Sequence, residues 1–167
     1  SSEQLSLEVY RDFNIATKEL STTINPLLLN NGTSTGILNE TNCTQLVSIH
    51  NLESYLNYNN RGHRLVLNTN FVKVDTTFYG VFTFAYSHCI LKSTDLVTWS
   101  FYADIPVGSN SEEIQLAYDN GYLYGVNRGD SGGNPLIYIM KYNMSTNTWV
   151  GKTKLAITIY GGNERPA

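Results

Sequence analysis

Charge is scarce in this chain. Only 15% of its 167 residues are Asp, Glu, Lys or Arg, and the net charge is −3. The basic residues are scattered, so nothing resembles the stripe that neutralises a nucleic-acid backbone, and no nucleic-acid partner is expected. Long apolar runs are missing as well. None approaches the ~20 residues that a helix needs to cross a bilayer, so no membrane span is expected. Cysteine is limited to Cys43 and Cys89, too few for a disulfide framework. One bond between them fits the sequence, and so do two thiols with Cys89 packed in a strand. His50, His63 and His88 lack metal-ligand spacing, and neither a metal nor another cofactor is expected. No glycine-rich loop opens a helix as phosphate binding requires, and no serine stands in a nucleophile elbow. Gly129-Asp130-Ser131-Gly132-Gly133 spells a serine-protease nucleophile motif without its histidine context, at a place where an inter-strand loop belongs.

What the chain has is a repeated pattern of short strands. Around Cys89 to Ile105, one extended run closes at Ile90 and Leu91 and a polar turn follows. Trp99, Phe101, Ala103 and Ile105 then alternate with Ser100, Tyr102 and Asp104, the period of a half-buried strand. The landmarks recur in order. Phe78-Tyr79-Gly80-Val81 returns as Leu123-Tyr124-Gly125-Val126, 45 residues on, and Thr98-Trp99 returns as Thr148-Trp149, 50 residues on. That interval is the size of one four-stranded propeller blade. Strands are predicted over 70–75, 77–86, 88–92 and 98–105, then over 113–118, 122–128, 136–142 and 148–158. The fold expected is mainly β: two four-stranded blades, part of a larger and five-bladed propeller, preceded by a helix.

The helix is predicted over residues 1–26. Ser1 or Ser2 caps it, Leu5, Val9, Phe13, Ala16, Leu20 and Ile24 make a stripe spaced by fours and one three, and Asn25-Pro26 stops it. Such a stripe suits a helix packed on the domain, or a stem that gathers a homotrimer. Leu5, Leu7 and Val9 also alternate, which suits a short strand. Residues 27–66 read as an irregular link, with an apolar run at Leu27-Leu28-Leu29, a turn at Asn30-Asn31-Gly32, one strand around Gln45 to Ile49 and an exposed loop at 57–62. The partial propeller then occupies 67–167.

One stretch carries a family resemblance. Ser93-Thr94-Asp95-Leu96-Val97-Thr98-Trp99 resembles the Ser-x-Asp-Leu-Val-x-Trp turn of five-bladed propeller glycosidases, the arabinanase, xylosidase and fructosidase group. The run from Asn68 to Tyr79 is similar to that group's first innermost strand, and the likeness spans residues 68–127. The resemblance implies that an acidic base or nucleophile should open that strand, yet Asn68 stands there. An amide accepts no proton usefully at neutral pH, so a two-carboxylate mechanism lacks a member. No catalytic residue is therefore assigned. Two blades also fall short of the roughly 240 residues that five would need, and the expectation is a piece of a longer protein.

The function expected is binding rather than catalysis: a non-catalytic glycan-binding propeller, similar to those that some bacteriophage tail fibres mount on a helical stem for host attachment. That places it outside the cell or on a virion surface, with a cell-surface or cell-wall glycan as partner. The alternative is a glycoside hydrolase whose remaining catalytic residues lie outside this chain. In a propeller the first strands of successive blades surround the axis, so Asn68, Asn70, Ser111, Glu112 and Glu113 are expected to converge at its mouth. Amides, hydroxyls and Tyr faces suit sugar hydroxyls and ring faces. Arg64 or Arg128 would add a contact to an anionic polymer.

Overall fold

Alternation of apolar and polar residues dominates the chain, and strands dominate the fold. The computed structural model describes residues 9–52, 65–67, 70–84, 87–106, 111–131 and 134–158; at 65–67, 111–113, 128–131, 134–136 and 156–158 it describes the backbone. Four two-residue strands come first, Val9–Tyr10 (β1), Phe13–Asn14 (β2), Glu19–Leu20 (β3) and Asn25–Pro26 (β4), then Leu28–Asn30 (β5) and Thr35–Ile37 (β6). One helix follows, Glu40–Ile49 (α1), then Leu65–Leu67 (β7) and Val72–Val74 (β8). The rest is Thr77–Phe84 (β9), Ser87–Ser93 (β10), Thr98–Asp104 (β11), Ser111–Asp119 (β12), Tyr122–Ser131 (β13), Asn134–Asn143 (β14) and Thr148–Thr158 (β15).

Two sheets hold the architecture. β12-β13-β14-β15 is an antiparallel meander, and β8-β9-β10-β11 is another. The first meander grows into a seven-stranded sheet: β7 shares the edge of β9 with β8, while β5 runs parallel to β11 and carries β6 on its far side. Residues 28–37, from the stretch read as irregular, thus join the same sheet.

Local chemistry sets the connections. Asn120 (φ 47°) and Gly121 (φ 83°) both lie in the left-handed region, as a tight hairpin turn between twisted strands requires. Between β10 and β11 the Asp95 carboxylate accepts from the backbone N–H groups of Val97 (2.8 Å) and Thr98 (2.7 Å) and from the Ser93 hydroxyl (2.9 Å). The Ser93 hydroxyl in turn accepts from the Asp95 and Leu96 N–H groups, and at the equivalent place in the second meander the Asn143 side-chain oxygen accepts from Ser145 and Thr146 N–H. Both turns are thus fastened from their first residue, a serine in one and an asparagine in the other, and the first adds the Asp95 carboxylate.

The first meander sends its side chains into two cores. A bulge in β11 opposite Ile90 and Leu91 turns that strand over. Trp99 and Phe101 thus face one core and Ala103 and Ile105 the other, where the sequence expects a single alternating face. On one face Phe82, Phe84, Cys89, Leu91 and Trp99 pack with Leu29, Leu38 and the α1 residues Cys43, Leu46 and Val47. On the other, Tyr79, Val81, Ile90 and Ala103 meet Ile114, Leu116, Leu123, Met140 and Tyr142 of the second meander. The order of layers is therefore α1, seven-stranded sheet, four-stranded sheet. Trp99 is fully buried, worth about 2–3 kcal/mol for the indole alone. Trp149 is half-buried between the sheets, beside Tyr142.

The helix is not where the spacing put it. In the described part of residues 1–26 the chain forms a hairpin, β1 on β4 and β2 on β3. A spacing of four is even, so it satisfies a strand as well as a helix; the single three in the stripe crosses the turn. That turn is built by Asn14, whose side-chain oxygen accepts from Ala16 and Thr17 N–H while its carbonyl accepts from Lys18 N–H. Among the described residues of this end there is no helix for the expected homotrimer to rest on. The observed helix lies at 40–49, where one strand was expected around Gln45 to Ile49. Asn39 caps it by accepting from Asn42 N–H (3.0 Å), Glu40 sits in its first turn, and Leu38 and Cys43 are buried at the two positions of a hydrophobic staple. Among the described residues no helix is long and apolar enough to cross a membrane.

Candidate functional site

The expected ligand residues are distributed unevenly. Asn68 and Arg64 lie outside the described residues, as does the loop at 57–62. Asn70 is exposed, two residues ahead of β8. Ser111, Glu112 and Glu113 open β12, and Arg128 lies in β13 with its backbone directly opposite Glu113. β12 runs against β8 and β9, and Val72 and Val74 pack on the core to which Ile114 and Leu116 belong. The two leading strands therefore neighbour each other. Gly129-Asp130-Ser131 is the end of β13, paired with β14, and the hairpin tip beyond it lies outside the described residues.

A second cluster was not expected from the sequence. On β13, Tyr122 and Tyr124 stand at alternate positions with ring centres 6.4 Å apart. Lys141 of β14 pairs in register with Tyr124, and its ammonium sits 3.9 Å from the Tyr122 ring centre and 5.5 Å from that of Tyr124. Such a contact is worth roughly 0.5–1 kcal/mol at an exposed site. All three side chains are half-buried. Their neighbours in the same row are small: Ala117 opposite Tyr124, and Gly151 opposite Lys141 with nothing near its α-carbon to fill the space a side chain would take. The face opposite the core is thus an open aromatic step bearing one cation. Two tyrosines two apart can be read from the sequence; that Lys141 lies over them depends on a register across two strands.

The other aromatic row is structural. Tyr79, Tyr102, Tyr142 and Trp149 meet edge to face at 4.9–5.6 Å between the two sheets. Burial, and then the neighbouring Tyr142 and Tyr79, push the Tyr102 phenol up to about 12, and burial raises Tyr79 and Tyr142 too. These phenols stay protonated at neutral pH and offer no base. Burial likewise pushes the Cys89 thiol up, so it stays protonated and unreactive. His50 stacks flat on Phe101, 3.7 Å between ring centres, and burial lowers its pKa. Among the described residues no three His, Cys, Asp or Glu side chains come together as a metal site would need.

No protein-family model, curated protein or solved structure matches this chain.

Proposed function

We propose that the chain is a non-catalytic glycan-binding module, its two meanders being blades of a propeller and its ligand an extracellular or cell-surface polysaccharide. The observation that carries the reading is the Tyr122–Tyr124–Lys141 step. Two half-exposed rings flanked by Ala117 and Gly151 leave room for a flat sugar ring on aromatic faces. The lysine offers three donors to hydroxyls, or a counter-charge to an anionic polymer. Farther along the same sheet the backbone register sets Glu113 opposite Arg128, and Asn70 leads the neighbouring meander; these are the polar residues we assign to orienting the ligand. The reading as a binder rather than a hydrolase rests on Asn68 in the place of a carboxylate.

Titration calorimetry with cell-wall polysaccharide or teichoic acid tests it. We expect Tyr124→Ala and Lys141→Ala each to weaken binding about tenfold, the loss of one stacked ring or one charge-assisted contact. No reducing sugar should be released. Affinity unchanged in both variants and in Asn70→Ala, at unchanged melting temperature, would remove this surface from consideration.

A further inference from the structure

The chain has two cysteines, and both fall in the core beneath α1. Cys43, Leu46 and Val47 are the buried residues of the helix, and spacings of three and four put them on the one face that lies on the seven-stranded sheet. Cys89 and Leu91 alternate on β10 and point into the same core, with Phe82 directly across from Cys89 on β9. Cys43 is 0% exposed and Cys89 1%, and both carry thiols in this structure. The side chains are close enough to sense each other electrically: a thiolate at Cys43 would add to the burial that keeps Cys89 protonated. The helix itself has ten residues, short of the ~12–15 that an isolated helix needs to be even marginal in water. One of its three buried anchors is therefore a cysteine that shares its core with the other cysteine.

We infer that Cys43 and Cys89 are the two halves of a core disulfide, formed when the chain folds in the presence of a small-molecule disulfide and joining α1 to β10. Burial sets the timing. In the finished fold neither sulfur is reachable from water, and a protonated thiol is no nucleophile. In the unfolded chain both thiols are accessible and ionise in the ordinary range. One thiolate attacks oxidised glutathione, forms a mixed disulfide and expels the first glutathione thiolate. As the helix settles on the sheet, the second thiolate attacks the protein sulfur of that mixed disulfide and expels the other glutathione. The two protein sulfurs are oxidised, the donor's disulfide is reduced, and the protons lost by the cysteines end on the two glutathione thiols. The closed bond then lies where no reductant reaches it. A chain folded under reducing conditions seals in two thiols instead. Such bonds belong to oxidising compartments, the setting proposed for this chain. The bond is independent of the ligand surface, because α1 and the Tyr122–Lys141 step lie on opposite outer layers of the molecule.

Refolding the full chain from denaturant, once in a buffer of oxidised and reduced glutathione and once with a phosphine reductant, tests this. Each product is then unfolded in iodoacetamide and its mass measured. The expected oxidised product takes up no label before reduction and two labels after it, and proteolysis yields a fragment pair linked through Cys43 and Cys89. It should melt about 5–10 °C above the reduced product, because the bond restricts the unfolded chain. The reduced product should resist iodoacetamide while folded and take up two labels once unfolded. Cys43→Ala with Cys89→Ala should melt at one temperature from both buffers, which separates the bond from any other effect of glutathione. The labelling result stands whether or not that double variant folds. Two labels in the oxidised product before reduction, glutathione retained on either cysteine, a disulfide between chains, or an internal bond that leaves the melting temperature unchanged or lowers it would overturn the inference.

Discussion

Trp149 donates its indole N–H to the backbone carbonyl of Asp104 at 2.7 Å, across 45 residues. The bond ties the last strand of the second meander to the last strand of the first, at the edge of the core they share. Trp99, at the same place in the first meander, donates instead to the nearby Leu96 carbonyl (3.3 Å) and buries its ring under α1. Each indole thus faces the layer that precedes its own meander.

Trp149→Phe keeps a ring against Tyr142 and removes the donor. It should destabilise the chain by about 0.5–1.5 kcal/mol, the net worth of one hydrogen bond. Urea denaturation measures it, and no change in midpoint would mean that water replaces the bond.

Trp99→Ala should cost about 3–5 kcal/mol, because the ring is wholly enclosed and its removal leaves a cavity among Leu29, Leu38 and Phe82. A loss under about 1 kcal/mol would show that α1 collapses into the space.

Asp95 gives an acid-side signature. Backbone N–H bonds from Thr98 and Val97 hold its carboxyl below the ordinary carboxylate pKa. The folded state prefers the carboxylate, so this contribution is complete above the unfolded pKa near 3.8 and is lost as pH falls through the lower folded value. Melting temperature followed from pH 5 to pH 2 should show a slope that Asp95→Asn flattens. The effect is small, since the group is almost fully solvated.

His50 acts in a higher window. Burial disfavours its imidazolium, so the unfolded chain binds the proton more readily. Stability should be complete above about pH 6.5 and fall as pH drops from there towards the lower folded pKa. His50→Gln should remove that slope between pH 7.5 and 5.5; an identical slope in the variant would assign it to another group.

The eight strands of the two meanders could be read directly because what makes them is local. Alternation over seven to eleven residues in all of them but the three-residue β8, Asn120-Gly121 with its left-handed angles and the polar turn at Asp95 all act within a few positions of one another. Phe13 to Leu20 marks the limit of such reading. Even spacing serves helix and strand alike, and the deciding fact, a turn fastened by Asn14, is one ordinary residue. The cap at Asn39 is an equally local signal, but the apolar positions of α1 are few and its polar face is rich in Asn and Thr, so the helical period behind the cap is weak. Other features belong to the tertiary structure alone. The parallel pairing of β5 with β11 joins residues 70 apart, so no local signal could announce it. Lys141 reaches Tyr122 and Tyr124 only once β13 and β14 are in register. That Tyr10 at the base of the first hairpin packs on the core while Phe13 and Leu20 near its tip stay exposed was likewise decided by tertiary contacts. By itself the sequence determined the short-range alternation and turns that make strands; the choice of neighbours and faces came from packing, which couples residues that the chain keeps far apart.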